Sequence, residues 1–404
     1  MNETFSPKIV YLYCPIFIIL YNLTGNLSND IYLPTLPALA QEFGITSVLS
    51  QLSMTVWFAG VALPQIYFGL VADRIGYRPL MLWGSILFLC ATFCCYIAPN
   101  IYVLLIGRFL QGVGVSSLNI ATFATIRSRY YDEKFSIKFI SWVNVSGSLA
   151  PLAGPVIGSF LFHFFGWRST FLCILVLGFL SFCGLYHFML EGSDFQNKNV
   201  PMNVTHALLY YKQVLTKKLI IPVLTYTSFL GALIAYLTTA PFIIHNFFKI
   251  PIKFFGLTQL LPFSCFIIGG LMVNKFVNSF KLTTIISAGL ALSMFGVLSF
   301  LGFIIWPSLV TIYSYLGVVS LFLFSFAFIG SPLMSLALSS SHNKGGSAAL
   351  LGLSMALMAS FASLLTALFY NGHFYMFSLI MALFMSFGIL NYLFFIGFEY
   401  NEQK

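Results

Sequence analysis

The stretch GLVADRIGYRPL, Gly69 to Leu80, packs Asp73, Arg74 and Arg78 between two long uncharged runs. Residues 47–71 before it and 79–98 after it hold no Asp, Glu, Lys or Arg. A helix needs roughly 20 apolar residues to cross a bilayer core of about 30 Å. Each run is that long, so the stretch reads as a short charged loop joining two membrane-spanning helices. Its glycines, Gly69 and Gly76, suggest close helix approach and a tight turn.

The same pattern extends in both directions. Hydrophobic residues make up 59% of the 404-residue chain and charged residues only 7%, against about a quarter charged in a soluble domain. Too few charges remain to solvate a globule, and lipid must cover most of the surface. Twelve apolar runs are expected as spans: 9–33, 47–71, 79–98, 101–126, 136–162, 168–190, 219–245, 253–275, 282–304, 308–336, 346–370 and 374–397. The runs are continuous rather than alternating, which favours helices over a barrel. The fold class is therefore an all-α membrane protein. Its expected parts are an N-terminal six-helix bundle (1–190), a polar cytoplasmic linker (191–218) and a C-terminal six-helix bundle (219–404). The N-terminal run follows a single Lys8 and lacks a small-residue cleavage site, so it reads as a retained span. Cysteines 14, 90, 94, 95, 173, 183 and 265 all lie in or beside apolar runs without metal-binding spacing, and read as small apolar residues.

The formal charge of +9 is spread over short loops and does not form a face for nucleic acid. With the N-terminus inside, the cytoplasmic basic residues are Lys8, Arg74, Arg78, Arg127, Arg129, Lys134, Lys138, Lys198, Lys212, Lys217, Lys218, Lys275, Lys281, Lys344 and Lys404. Arg168, Lys249 and Lys253 fall outside. This bias places both termini in the cytoplasm. The halves also echo each other. Tyr32-Leu-Pro-Thr35-Leu-Pro37 recurs as Tyr236-Leu-Thr-Thr239-Ala-Pro241, each ending a first span, and Gly69-Leu-Val-Ala-Asp73-Arg74 recurs as Gly270-Leu-Met-Val-Asn274-Lys275. Duplication of this kind underlies alternating access in transporters.

Ten acids occur in the chain, and none between Asp194 and Glu399. A carboxylate that carries a proton must therefore belong to the first half, where Asp30 is the one placed to be deep. Asn22, Asn26, Asn29 and Asp30 make one polar stripe on the first span. Either span one ends before Asp30 and the acid meets headgroups, or the acid sits within the core and faces an interior cavity; the stripe favours the second. Arg108 opens a similar stripe with Gln111, Val115, Asn119 and Thr122. Snorkelling to the outer interface is the alternative to a cavity position. Desolvation disfavours a carboxylate's charge and a nearby guanidinium favours it, so substrate and conformation could switch the proton. Gly147, Gly154, Pro155 and Gly158 in GSLAPLAGPVIGS allow tight packing and a bent helix. There is no Walker loop, GxGxxG or HExxH, so neither an enzyme nor a bound cofactor or metal is expected. His163, His187, His206, His245, His342 and His373 lie mostly at span ends.

Several of these stretches resemble the major facilitator superfamily. GLVADRIGYRPL (69–80) is similar to the family's loop signature after the second helix. RFLQGVGVSS (108–117) resembles its fourth-helix signature, APLAGPVIGS (150–159) its fifth-helix antiporter signature with Ser159 in place of the usual Gly, and GWRSTF (166–171) its entry to helix six. NDIYLPTLPAL (29–39) looks like the Bcr/CflA-type drug:proton antiporters. The resemblance implies two pseudo-symmetric six-helix bundles around a cavity. It implies Asp30 as the proton-linked acid and Arg108 as its coupled arginine. Asn22, Asn26, Asn29, Gln111, Asn119 and Tyr236 are then candidates for the substrate cavity, and Asp73, Arg74, Arg78, Gly69 and Gly76 for a cytoplasmic gate. Some relatives carry a second first-helix acid where Asn22 stands.

The expected protein is thus a monomeric proton-coupled exporter of small amphipathic compounds in a bacterial inner membrane, of the multidrug-resistance type. A dedicated metabolite carrier, for a siderophore or another polar anionic product in either direction, is the alternative. Arg108 would then bind a substrate carboxylate.

Overall fold

The computed structural model describes residues 7–129, 133–189, 215–339 and 344–402. Within them the regular structure is helical. The helices are α1 (Pro7–Asp30), short α2 (Leu36–Glu42), α3 (Ser47–Ile75), α4 (Tyr77–Tyr96), α5 (Ile101–Arg129), α6 (Glu133–Phe165) and α7 (Arg168–Phe188), followed by α8 (Lys217–Phe242), α9 (Phe255–Phe276), α10 (Leu282–Ile305), α11 (Ile312–Ser339), α12 (Lys344–Phe369) and α13 (Phe374–Glu402). Among the described residues, eleven helices are long and apolar enough to cross a membrane. The long helix outside that group is α1, whose last turns hold Asn22, Asn26, Asn29 and Asp30.

The chain divides into two units. Unit 1 is Met1–Ile45 with Val56–Leu208, and unit 2 is Thr46–Thr55 with Leu209–Lys404. The boundary thus cuts α3 near its start. In unit 1, α1 packs on α6 and α7, and α4 packs on α5 and α7. In unit 2, α8 packs on α11, α12 and α13, while α9 and α10 both pack on α11. The expected linker, 191–218, lies outside the described residues up to 214; Lys217 and Lys218 already belong to α8.

Small residues decide the closest approaches in unit 1. A Cβ on Gly60 would stand 2.1 Å from the Phe109 carbonyl oxygen, and one on Gly112 2.2 Å from that of Trp57. No side chain larger than hydrogen fits either side of this α3–α5 crossing. Gly76 has φ 90° and turns the chain from α3 into α4, as expected of the 69–80 loop. Gly69 does not share that role: a Cβ there meets nothing within 4 Å. The close approach expected at Gly69 is not found among the described residues.

Two further expectations change. Span one does not run to residue 33, since α1 stops at Asp30 and Leu33–Thr35 form a 3-10 turn. Pro34, which lacks an N–H, suits the start of such a turn. The repeated hexapeptides also differ in shape. Tyr32–Pro37 is a turn leading into α2, whereas Tyr236–Pro241 lies inside α8. Gly69 and Gly270 do correspond, both unobstructed near the end of their helices.

Candidate functional site

The fourth-span motif RFLQGVGVSS explains itself once its faces are separated. Gly107 and Gly114, seven residues apart, both face α4: a Cβ at Gly107 would reach Cys95 Sγ at 2.6 Å, and one at Gly114 the Gly84 carbonyl at 2.8 Å. Gly112 faces α3. Arg108, Gln111 and Val115 follow the i, i+3, i+7 spacing of a third face. That face meets α1, where Val115 borders Gly25 and Arg108 reaches the helix end. Two glycine faces seat α5 between its neighbours and leave the third for polar chemistry.

Arg108 is completely buried. Nη1 donates to the Ser28 carbonyl at 2.9 Å and to Gln111 Oε1 at 2.6 Å, and Nη2 donates to Asn29 Oδ1 at 3.1 Å. Gln111 Nε2 in turn donates to Thr92 Oγ1 of α4 at 2.9 Å. The guanidinium also lies 4.8 Å from the ring centre of Tyr32 and 5.6 Å from that of Trp57. Such a cage compensates the desolvation of a cation with directed acceptors and two aromatic faces. Among the described residues, the Nε donor of Arg108 and the indole Nε1 of Trp57 are buried without an acceptor.

Asp30 closes α1 and is 5% exposed. It does not pair directly with Arg108; the carboxamide of Asn29 stands between them. Asn29 Nδ2 donates weakly to Asp30 Oδ1 at 3.4 Å while Asn29 Oδ1 accepts from Arg108. The antiporter-like helix forms the wall behind the acid. A Cβ on Gly154 would stand 2.7 Å from Asp30 Cβ, and one on Gly158 2.0 Å from the Ile31 carbonyl oxygen. These two glycines therefore let the backbone of α6 lie against the Asp30 turn.

A family model described as the Major Facilitator Superfamily matches residues 18–363. The chain belongs to this superfamily. Among curated relatives it is similar to the multidrug transporter MdfA of Yersinia pestis bv. Antiqua (strain Angola), 27% identical over 359 residues, 87% of each chain. The chloramphenicol resistance protein CraA of Acinetobacter baumannii is 26% identical over 360 residues, 87% of this chain and 84% of that one. The multidrug resistance protein MdtL of Shewanella sp. (strain ANA-3) is 31% identical over 239 residues, 58% and 57% of the two chains. A crystal structure of a D-xylose–proton symporter shares the fold with TM-score 0.71 at 14% identity, covering 95% of this chain and 97% of that one.

The remaining candidates of this superfamily member lie on several elements. Asn22 and Asn26 join Ser146 of α6: Ser146 Oγ donates to Asn22 Oδ1 at 3.0 Å and Asn26 Nδ2 to the same oxygen at 3.2 Å. Gly147 beside them leaves room, with a Cβ 3.8 Å from Asn26 Nδ2 and 4.0 Å from Asn22 Oδ1; unlike Gly154 and Gly158 it is not a close-approach site. On α5, Thr122 is buried and Asn119 half-buried. Tyr236 belongs to unit 2, where its hydroxyl donates to Gln259 Oε1 at 2.5 Å. His245 lies in a π turn, Ile243–Phe247, with Nδ1 3.3 Å from the Ile250 carbonyl. Of the gate residues, Arg78 Nη2 donates to the Tyr186 carbonyl at 3.2 Å and Arg74 is exposed. The side chain of Asp73 lies outside the described residues. No group of three or more His, Cys, Asp or Glu residues fit to hold a metal ion occurs among the described residues.

Sequence reasoning did not single out Tyr32, Trp57, Thr92 or Ser146. Tyr32 sits two residues from Asp30, and that adjacency was a usable signal. Trp57, Thr92 and Ser146 come from other helices, with no spacing rule that ties them to Arg108 or Asn22.

Proposed function

We propose that the protein is a proton-coupled secondary transporter that exports small amphipathic compounds by alternating access, with Asp30 as its proton carrier and Arg108 as the group that reads the carrier's state. The observation that carries this reading is the arrangement at the end of α1. One buried acid lies beside a fully buried arginine and is joined to it through a carboxamide. Ionisable groups buried within spanning helices mark ion and substrate paths. The absence of acids from Asp194 to Glu399 leaves unit 2 without a carboxylate carrier in its helices up to that point. The similarity to MdfA and MdtL, named as multidrug proteins, and to CraA, a chloramphenicol resistance protein, supports export of drug-like compounds.

Asn22, Asn26, Asn29, Gln111, Asn119 and Tyr236 are the proposed polar substrate contacts. Gly69, Asp73, Arg74, Gly76 and Arg78 are the proposed gate. Transport assays in proteoliposomes with an imposed proton gradient, over a panel of chloramphenicol, lipophilic cations and carboxylate metabolites, test the reading. Gradient-dependent movement of the neutral or cationic members is expected. Movement of carboxylates alone supports the second reading, a carrier for a polar anionic product. The unpartnered buried donors Arg108 Nε and Trp57 Nε1 favour that alternative, because an oxyanion accepts from donors of this kind.

The membrane is proposed to be a bacterial inner membrane, with both termini and residues 191–218 cytoplasmic and the chain working as a monomer. The basic-residue bias supports this orientation. Lys198→Cys, in a background whose exposed native cysteines are replaced, is expected to resist membrane-impermeant maleimide in intact cells and to react in inverted vesicles. Labelling in intact cells reverses the topology.

A further inference from the structure

A second group of tied side chains in unit 1 lies away from Arg108, at the end of α2. Glu42 accepts from two donors: Trp167 Nε1 at 2.6 Å and Arg168 Nη1 at 2.9 Å. Arg168 Nη2 reaches further, to the Ala98 carbonyl at 3.1 Å, and its guanidinium stacks 4.2 Å from the Trp167 ring. Three chain segments meet here: the end of α2, the α4–α5 loop and the α6–α7 turn. Gly166, at φ 76°, bends that last turn so that Trp167 and Arg168 face Glu42. An exposed ion pair by itself contributes little to stability. This one has a buried indole, 3% exposed, as its second donor, and that indole leads inward.

The Trp167 ring meets Phe43 edge-on at 5.7 Å and Phe171 edge-on at 6.0 Å. Phe171 packs on Tyr32 at 5.2 Å, and Tyr32 lies 4.8 Å from the Arg108 guanidinium. Carboxylate, indole, phenyl, phenol and guanidinium thus form one unbroken line of contacts from Glu42 to Arg108. The backbone supplies a second link, because α2 follows Asp30 after only the Leu33–Thr35 turn, and Leu33, Leu36 and Leu39 are fully buried. Both links converge on the residues flanking the proposed proton site.

We infer that Glu42, Trp167 and Arg168 are positioning residues that hold Tyr32 against Arg108, so that the proton response of Asp30 is set partly from the far end of α2. The inference rests on the proton-coupled reading above. Its physical content is that Tyr32 shields one face of a desolvated cation. A clamp that fixes Tyr32 fixes how dry the Arg108–Asn29–Asp30 group is. The charged and titratable groups near Asp30 are Arg108 from α5 and Tyr32 from its own turn, with Cys95 of α4 behind the arginine. There α6 meets the acid with Gly154, and α7 meets Tyr32 with Phe171.

The test uses the full-length protein, purified and reconstituted, with chloramphenicol as probe. Glu42→Ala removes both acceptor contacts, and Trp167→Phe keeps a ring while deleting the indole donor. Each is expected to shift the pH of half-maximal transport by about one unit, a tenfold change in the proton equilibrium, with KM moving less than the turnover rate. Arg168→Lys keeps a cation beside Glu42 and leaves the Trp167–Glu42 bond in place but loses the stack on the indole, and is expected to shift the midpoint in the same direction by less than Glu42→Ala. Activity lowered by the same factor at every pH, with an unmoved midpoint, reduces the clamp to a structural brace and overturns the inference. Should the clamp variants fail to fold, Phe171→Leu cuts the line behind an intact clamp. A shifted midpoint there supports the inference and an unshifted one overturns it. A parent protein without any pH dependence overturns the proton-coupled reading itself, and the inference with it.

Discussion

Asp30→Asn is expected to abolish gradient-driven transport while leaving the protein folded, inserted and able to bind substrate. The two side chains have nearly the same shape, and the close contact with Gly154 involves Asp30 Cβ and backbone rather than the carboxylate. The replacement therefore keeps the packing of α1 on α6 and removes only the charge and the exchangeable acid proton. A transporter without nucleotide chemistry draws work from an ion that binds differently to its two states. An amide at position 30 binds no proton in either state, and the imposed gradient has nothing to act on. Counterflow, which exchanges substrate for substrate without net proton movement, is expected to survive in the variant. Transport in a proton gradient at the parental rate and pH profile would make Asp30 a helix-end residue and move the search for the carrier to His245.

Arg108→Ala is expected to damage more than coupling. The guanidinium holds three directed bonds, to the Ser28 carbonyl, Asn29 and Gln111, and hydrogen bonds to a charged group contribute about 1.5–3 kcal/mol each. Its removal leaves buried acceptors unpaired and a cavity between Tyr32 and Trp57. Each neutral acceptor left unsatisfied costs about 1–3 kcal/mol, offset in part because the desolvation of the cation is relieved. Substrate binding and proton coupling are expected to fall together. Arg108→Lys keeps the charge, but a single ammonium cannot reach three acceptors in the geometry of a planar fork. It is expected to restore much of the stability and little of the transport. Thermal unfolding of the purified variants, read beside transport, separates the two effects. An alanine variant with parental stability would contradict the cage described around Arg108.

The helices were readable because a bilayer forces long uncharged runs, and those from 79, 101 and 374 begin in the structure where expected, at residues 77, 101 and 374. The end of α1 was not readable in the same way. Leu33, Leu36 and Leu39 continue the apolar pattern past Asp30, but Pro34 and Pro37 turn the chain into a short second helix. Hydropathy does not register that change, since both forms bury the same leucines. Arg108 and Gln111 were legible as one stripe because a single helix carries them at helical spacing. Their partners Thr92, Tyr32 and Trp57 arrive from other segments, and only tertiary packing unites them. Gly69 shows the converse error. Its place in the 69–80 loop suggests a contact glycine, yet a Cβ there meets no described residue within 4 Å. Gly112 and Gly114 of α5 and Gly154 and Gly158 of α6, by contrast, carry close approaches to neighbouring backbone that a Cβ would block.

Substrate and proton are proposed to meet at the group formed by Asp30, Asn29 and Arg108. Proton release or uptake on adding substrate to the purified, weakly buffered protein measures this directly. The parent is expected to exchange protons with the medium on addition of a transported compound, most strongly near the pH at which Asp30 titrates, and Asp30→Asn is expected to exchange none while still binding that compound. Equal proton exchange by the parent and by Asp30→Asn would contradict the account.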